Sequence, residues 1–190
     1  MGDHDGMMSP RPSASASTTS APSATTASPG PQTPVAGAHN QADVDFAVGM
    51  VPHHEQALVM ADMALAHGRT EDFLALAKAI EAAQKPEIDL MSAWLVSWGT
   101  DVPDAGAHGA HGMGMMSQQD LDDLGQMRGS GFEGMWLRMM IDHHEGAIEM
   151  SRTELTEGSS PEAKKLAASI IKSQSAEITQ MKAMLAERAN

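Results

Sequence analysis

A His-His-Glu block occurs twice in this chain, ninety residues apart, and the duplication limits the possible folds more than any other feature. The first copy reads Met50-Val-Pro-His53-His54-Glu55-Gln-Ala57-Leu-Val-Met60, and the second Met140-Ile-Asp-His143-His144-Glu145-Gly-Ala147-Ile-Glu-Met150. The offset persists downstream, where Ile80, Gln84, Glu87, Ile88, Met91, Ala93 and Leu95 return as Ile170, Gln174, Glu177, Ile178, Met181, Ala183 and Leu185. A fixed offset held this far means that one structural unit is used twice. Its His and Met residues stay in register, so their role is expected in duplicate or across a pseudo-twofold axis.

The unit reads as a helical hairpin. Asn40 is a candidate N-cap with Asp43 three residues on, and Phe46, Met50, Ala57, Met60 and Ala64 recur at helical spacing up to Gly68, a natural stop. Thr70 opens a second helix carrying Phe73, Leu76, Ala77, Ile80, Ile88, Met91 and Leu95 to about Trp98-Gly99, with Pro86 expected to kink it or remove one backbone bond. Residues 99–117 form a Gly/His/Met-rich loop, and Ser117 caps a short helix through Leu121 and Leu124 that ends near Gly129. The second hairpin runs from Phe132, Trp136, Met139 and Met140 to Gly158, then from Ser159-Ser160-Pro161 through Leu166, Ile170, Ile171, Ile178, Met181 and Leu185. The fold predicted is all-α: a four-helix bundle made of two tandem hairpins, with repeat one over 40–99, the loop over 100–117 and repeat two over 118–190. Residues 1–39, dominated by Ser, Ala, Thr, Pro and Gly, are expected to be a disordered tether.

That tether suits an exported protein standing off a membrane or wall. An extracytoplasmic location is therefore expected, with a signal segment, of general or lipoprotein type, in a precursor; no apolar run is long enough to span a membrane. The formal charge of -13 disfavours nucleic acid as a partner and suits cations. With no Cys in the chain, disulfides, thiolate sites and thiol catalysis are excluded, and a metal centre must draw on His, Met and carboxylate.

Adjacent helical residues point about 100° apart, so His53 and His54 face different ways. His53 shares a stripe with Met50, Ala57 and Met60, and His143 with Met140, Ala147 and Met150. His54 shares its face with Asp43, eleven residues earlier, and His144 with Glu133 in the same relation. Each carboxylate is about 16 Å from its histidine along the helix, so the two can meet only through another helix. Glu87 with Met91, and Glu177 with Met181, add a carboxylate and a thioether to the second and fourth long helices. Imidazole suits copper, zinc, iron or nickel, and thioether selects copper, above all Cu(I). Methionines at helical spacing are also ordinary core residues. Glu87 and Glu177 are equally readable as ligands or as acceptors that fix histidine tautomers. In the loop, His108, His111, Met113, Met115 and Met116 lie within nine residues with glycines between, a segment able to wrap a soft cation or to serve as a plain linker.

These residues resemble a bacterial family known as domain of unknown function 305. Its Asp, Phe, Met, His-His, Ala and Met pattern matches Asp43, Phe46, Met50, His53-His54, Ala57 and Met60. Its second half matches Phe132-Glu133, Met139-Met140-Ile141, His143-His144, Ala147 and Met150. Gln84-x-x-Glu87-Ile88, Gln174-x-x-Glu177-Ile178 and Gly114-Met115-Met116 complete a likeness over residues 40–188, from which Pro86 and the replacement of Asp by Glu133 are departures. The resemblance implies an exported, ferritin-like four-helix bundle associated with copper binding and resistance.

Three functions follow as expectations. The first is a non-catalytic protein that sequesters or passes on Cu(I) or Cu(II), with a copper-delivery or efflux protein as a conceivable partner and zinc or iron less favoured. The second is a ferritin-like oxidase, which needs Glu-x-x-His motifs; Met50 and Met140 occupy those Glu positions here. The third is a structural or interaction module whose histidines are bonded to Glu87 and Glu177 without metal.

Overall fold

The computed structural model describes residues 37–103 and 113–188. They form five helices and, among the described residues, no strand: α1 (Gln41–His67), α2 (Glu71–Ser97), the short α3 (Gln118–Gln126), α4 (Gly129–Glu157) and α5 (Pro161–Arg188). Residues 1–36 of the tether expected over 1–39, together with His108 and His111, lie outside the described residues.

Local chemistry sets the boundaries. Asn40 and Asp43 form a reciprocal capping box at the start of α1, and Ser117 and Asp120 do the same for α3. Gly68 and Gly158 close α1 and α4 at equivalent places. Ser160 accepts from the Ala163 N–H just ahead of Pro161, which tolerates the first turn because its missing donor has no intrahelical partner there. Pro52 and Pro86 lie within helices that run on past them, and α2 continues through Pro86 to Ser97.

α1 packs on α2 and α4 on α5, and the two hairpins meet along α1 and α4, whereas α2 and α5 touch little. This is the four-helix bundle of two tandem hairpins. The core divides at the seam into two clusters. Met60, Met140 and Met181 belong to one, with Phe73, Phe132 and Trp136; Met50 and Met91 belong to the other, with Phe46, Trp94 and Leu95. The ninety-residue offset exchanges Met50 with Met140, Met60 with Met150 and Met91 with Met181. The clusters are therefore pseudo-symmetric images at opposite ends of the bundle.

Candidate metal centre

His53 and His143 meet where α1 crosses α4. Their ring centroids are 3.7 Å apart with planes tilted by 41°, and both side chains are buried. Burial pulls His53 down to about 3, with the neighbouring His54 adding to the effect, and burial holds His143 well below the ordinary histidine range. Both are neutral at physiological pH, so each ring keeps a lone pair. The His53 Nε2 is 3.2 Å from the Met113 carbonyl, whereas His53 Nδ1 and both nitrogens of His143 have no hydrogen-bond partner. Three of the four ring nitrogens are thus buried with unused capacity, at roughly 1–3 kcal/mol for each polar atom left unsatisfied.

The second histidine of each pair turns into its own hairpin. His54 Nε2 lies 2.7 Å from Glu87 Oε2, and His144 Nε2 lies 2.7 Å from Glu177 Oε2. The glutamates accept the Nε2–H and set the tautomer, leaving the buried Nδ1 of His54 and of His144 unpartnered. Gln84 and Gln174, duplicated and buried, also keep amide oxygens without partners.

Asp43 and Glu133 are not at the histidines. Each caps the second helix of the opposite hairpin. Asp43 accepts from the backbone N–H of Ser159 at 3.0 Å and of Ser160 at 2.8 Å, at the start of α5. Glu133 accepts from the N–H of Arg69 at 2.7 Å and of Thr70 at 2.9 Å, at the start of α2, and from the Arg188 guanidinium at 2.7 Å. Against the cost of burial, Arg188 and these donors hold Glu133 down at about 2. The face shared by Asp43 and His54 is real, but three turns of helix carry the carboxylate to the end of the bundle, where orphan helix N–H groups draw it.

The predicted thioether stripe is also divided. Met50 and Met91 fall in one core cluster, Met60, Met140 and Met181 in the other, and Met150 packs at the edge of the first. Among the described residues, no three His, Asp or Glu side chains converge as a ready-made ligand group. Glu145 is at the surface, 3.3 Å from Lys182.

The end of the crossover loop is strapped over the seam. Gln56 donates to the Met116 carbonyl at 2.9 Å and accepts from its N–H at 2.7 Å. Gly114, at φ 79°, lies against the Asp142 and His143 carbonyls, and a Cβ on Gly146 would stand 1.9 Å from the Met113 carbonyl. The strap thus brings Met113 and Met116 into the region of the buried pair. Gln56 and Gly146 escaped the reading of single residues, yet they occupy equivalent positions of the two repeats. A site where two copies differ, one clamping and the other making room, is the signal that marks the strap.

The family model described as domain of unknown function (DUF305) matches residues 43–185. A DUF305 fragment from Deinococcus radiodurans superposes with a TM-score of 0.72 at 30% identity, covering 80% of this chain and 99% of that one. A Streptomyces coelicolor protein of this family, put forward as secreted, gives 0.72 at 29% identity, with 78% and 94% covered. CopM in its Cu(II)-bound form gives 0.68 at 38% identity, covering 76% of this chain and 96% of that one, and CopM has also been solved with Cu(I), with silver and in an apo form. No curated protein sequence matches the chain.

Proposed function

The chain belongs to the domain of unknown function 305 family, and from that premise we propose that it is an extracytoplasmic copper-binding protein that sequesters or transfers the ion without catalysis. The observation that carries this reading is the His53–His143 pair, with its two neutral imidazoles and three unused ring nitrogens buried at the seam between two thioether-bearing clusters. Met50 and Met140, three residues ahead of the two histidines on the same helix faces, are the thioethers assigned to complete the set. His54 and His144, oriented by Glu87 and Glu177, supply further imidazole nitrogen. Two imidazoles with thioethers suit Cu(I), and the imidazoles alone also accept Cu(II). Glu133 and Asp43 are engaged as helix caps, so few carboxylates remain for hard iron, and the oxidase reading loses support. The likeness to CopM in copper- and silver-bound forms supports a soft-metal cargo. The Ser/Ala/Thr/Pro-rich N-terminal composition and the Streptomyces relative support the location.

One observation favours a metal-free structural role: each of His54 and His144 already has a carboxylate partner, and the described residues hold no converged group of three His, Asp or Glu ligands. Anaerobic Cu(I) titration against a competing chelator decides between the two. The copper reading requires a tight site that weakens by at least about a hundredfold when both His53 and His143 are changed to Ala, a loss on the order of 2.7 kcal/mol or more. Affinity unchanged in that variant, with a Tm indifferent to copper, would leave the structural reading standing.

A further inference from the structure

The two ends of the bundle share one ancestral pattern but not one surface. Beside α1 and the C-terminal part of α4 lies an open groove of about 410 Å³, lined among others by Ala42, Phe46, Met113, Met150 and Glu154. The ninety-residue offset carries Ala42 to Phe132, Phe46 to Trp136, Met150 to Met60 and Glu154 to Ala64. All four of those counterparts are fully buried, and Trp136 donates to the Met60 carbonyl at 2.7 Å. Where one end is plugged by two large aromatic rings, the other is left open by an alanine and a smaller ring.

The open end carries a distinctive donor set. Met113 is 51% exposed, an unusual placement for a large apolar side chain, and Met150 is only partly buried. Asp45 and Glu157 stand on the groove walls, with Glu154 in its buried floor. An acidic wall raises the local concentration of a cation, and thioethers select a soft one. The groove also leads inward. The Met150 sulfur lies 3.5 Å from the place a Cβ on Gly49 would occupy, which brings it to α1 beside Met50. Met113 lines the groove, while its carbonyl is 3.2 Å from His53 Nε2.

We propose that this groove is a second, peripheral Cu(I) site, where the thioethers of Met113 and Met150 take the ion from solvent and relay it toward His53 and His143. The proposal rests on the copper reading of the buried pair. Among the described residues, the equivalent route past Met60 is closed by Phe132 and Trp136. The strap makes the port local: the chain that presents Met113 to solvent also covers His53.

The test uses Ag(I), a redox-inert soft cation, with the full chain labelled at its methionine methyls. Ag(I) added beyond the one equivalent held by the buried pair should shift the Met113 and Met150 methyl resonances. The Met113→Leu/Met150→Leu variant should lose one bound equivalent and load the buried pair about tenfold more slowly in stopped-flow transfer from a coloured chelator. Ala42→Phe, which fills the groove as Phe132 fills its counterpart, should slow loading while leaving both thioethers in place. Ag(I) reaching the buried pair at an unchanged rate in both variants, with the Met113 and Met150 methyls unmoved, would overturn the port alone. Absence of any Ag(I) or Cu(I) binding by the unaltered protein would overturn the copper reading and the port together.

Discussion

The plugged and open ends of the bundle show what duplication preserves and what it releases. Both ends keep a carboxylate that caps a helix of the other hairpin, but its surroundings differ. Glu133 sits against Arg188, an ion pair that matches its charge. Asp43 instead faces Glu154, and burial together with this neighbouring carboxylate pushes Glu154 up to about 8. One end is thus neutralised and packed, while the other stores a proton and stays accessible. The histidine pairs between them differ little, which places the constraint at the seam and the freedom at the ends.

The largest expected effect breaks the packed end. Trp136→Ala should destabilise the protein by about 3–5 kcal/mol, through the cavity and the lost bond to Met60, as measured by denaturant unfolding. Phe46→Ala, at the rim of the open groove, should cost about 2–3 kcal/mol; equal losses at the two sites would remove the packing distinction. Next comes the capping carboxylate. Glu133→Ala strands two backbone N–H groups and the Arg188 charge and should cost about 3–4 kcal/mol. Asp43→Ala strands similar donors but relieves Glu154, so its loss should be smaller by about 1 kcal/mol or more.

The proton held at the open end gives a pH signature. Glu154 has a folded value of about 8 against an ordinary 4.5, so the folded state holds a proton that the unfolded chain releases first. Its contribution to stability is full below pH 4.5 and is lost as pH rises through 8. Asp43, held below its ordinary value, acts in the opposite sense and only in acid. His53 and His143, held below the ordinary histidine value of 6.5, oppose this trend below that pH, so Tm should fall between about pH 6.5 and 8 in the unaltered protein, and Glu154→Gln should flatten that slope. A profile identical in the two proteins would show that the ends do not differ in protonation. The smallest effect sharpens the seam: Glu87→Gln and Glu177→Gln should each weaken Cu(I) binding about tenfold, and equally, because their bonds to His54 and His144 are alike.

Much of the fold is legible because its signals are local. Asn40, Gly68, Ser117 and Pro161 mark helix ends by their own backbone chemistry, and the ninety-residue offset reveals the paired hairpins. The shared face of Met50 and His53 is legible for the same reason. Asp43 and Glu133 are not, since their role depends on which foreign helix start lies over them, and spacing within one helix carries no such information. That His54 meets Glu87 is likewise hidden from spacing, because it depends on the packing of α1 on α2. The strap is non-local in the same sense. Its anchors, Gln56 and Gly146, show in the sequence only as a disagreement between copies, and so does the groove, through Ala42 against Phe132 and Glu154 against Ala64.

The seam between α1 and α4 is where metal binding is decided. Crystals of the full chain loaded with Ag(I), with anomalous differences measured for silver, should show a peak within bonding distance of His53 and His143 and flanked by Met50 or Met140. Silver confined to the surface, with both imidazoles unliganded at saturating Ag(I), would contradict the central claim.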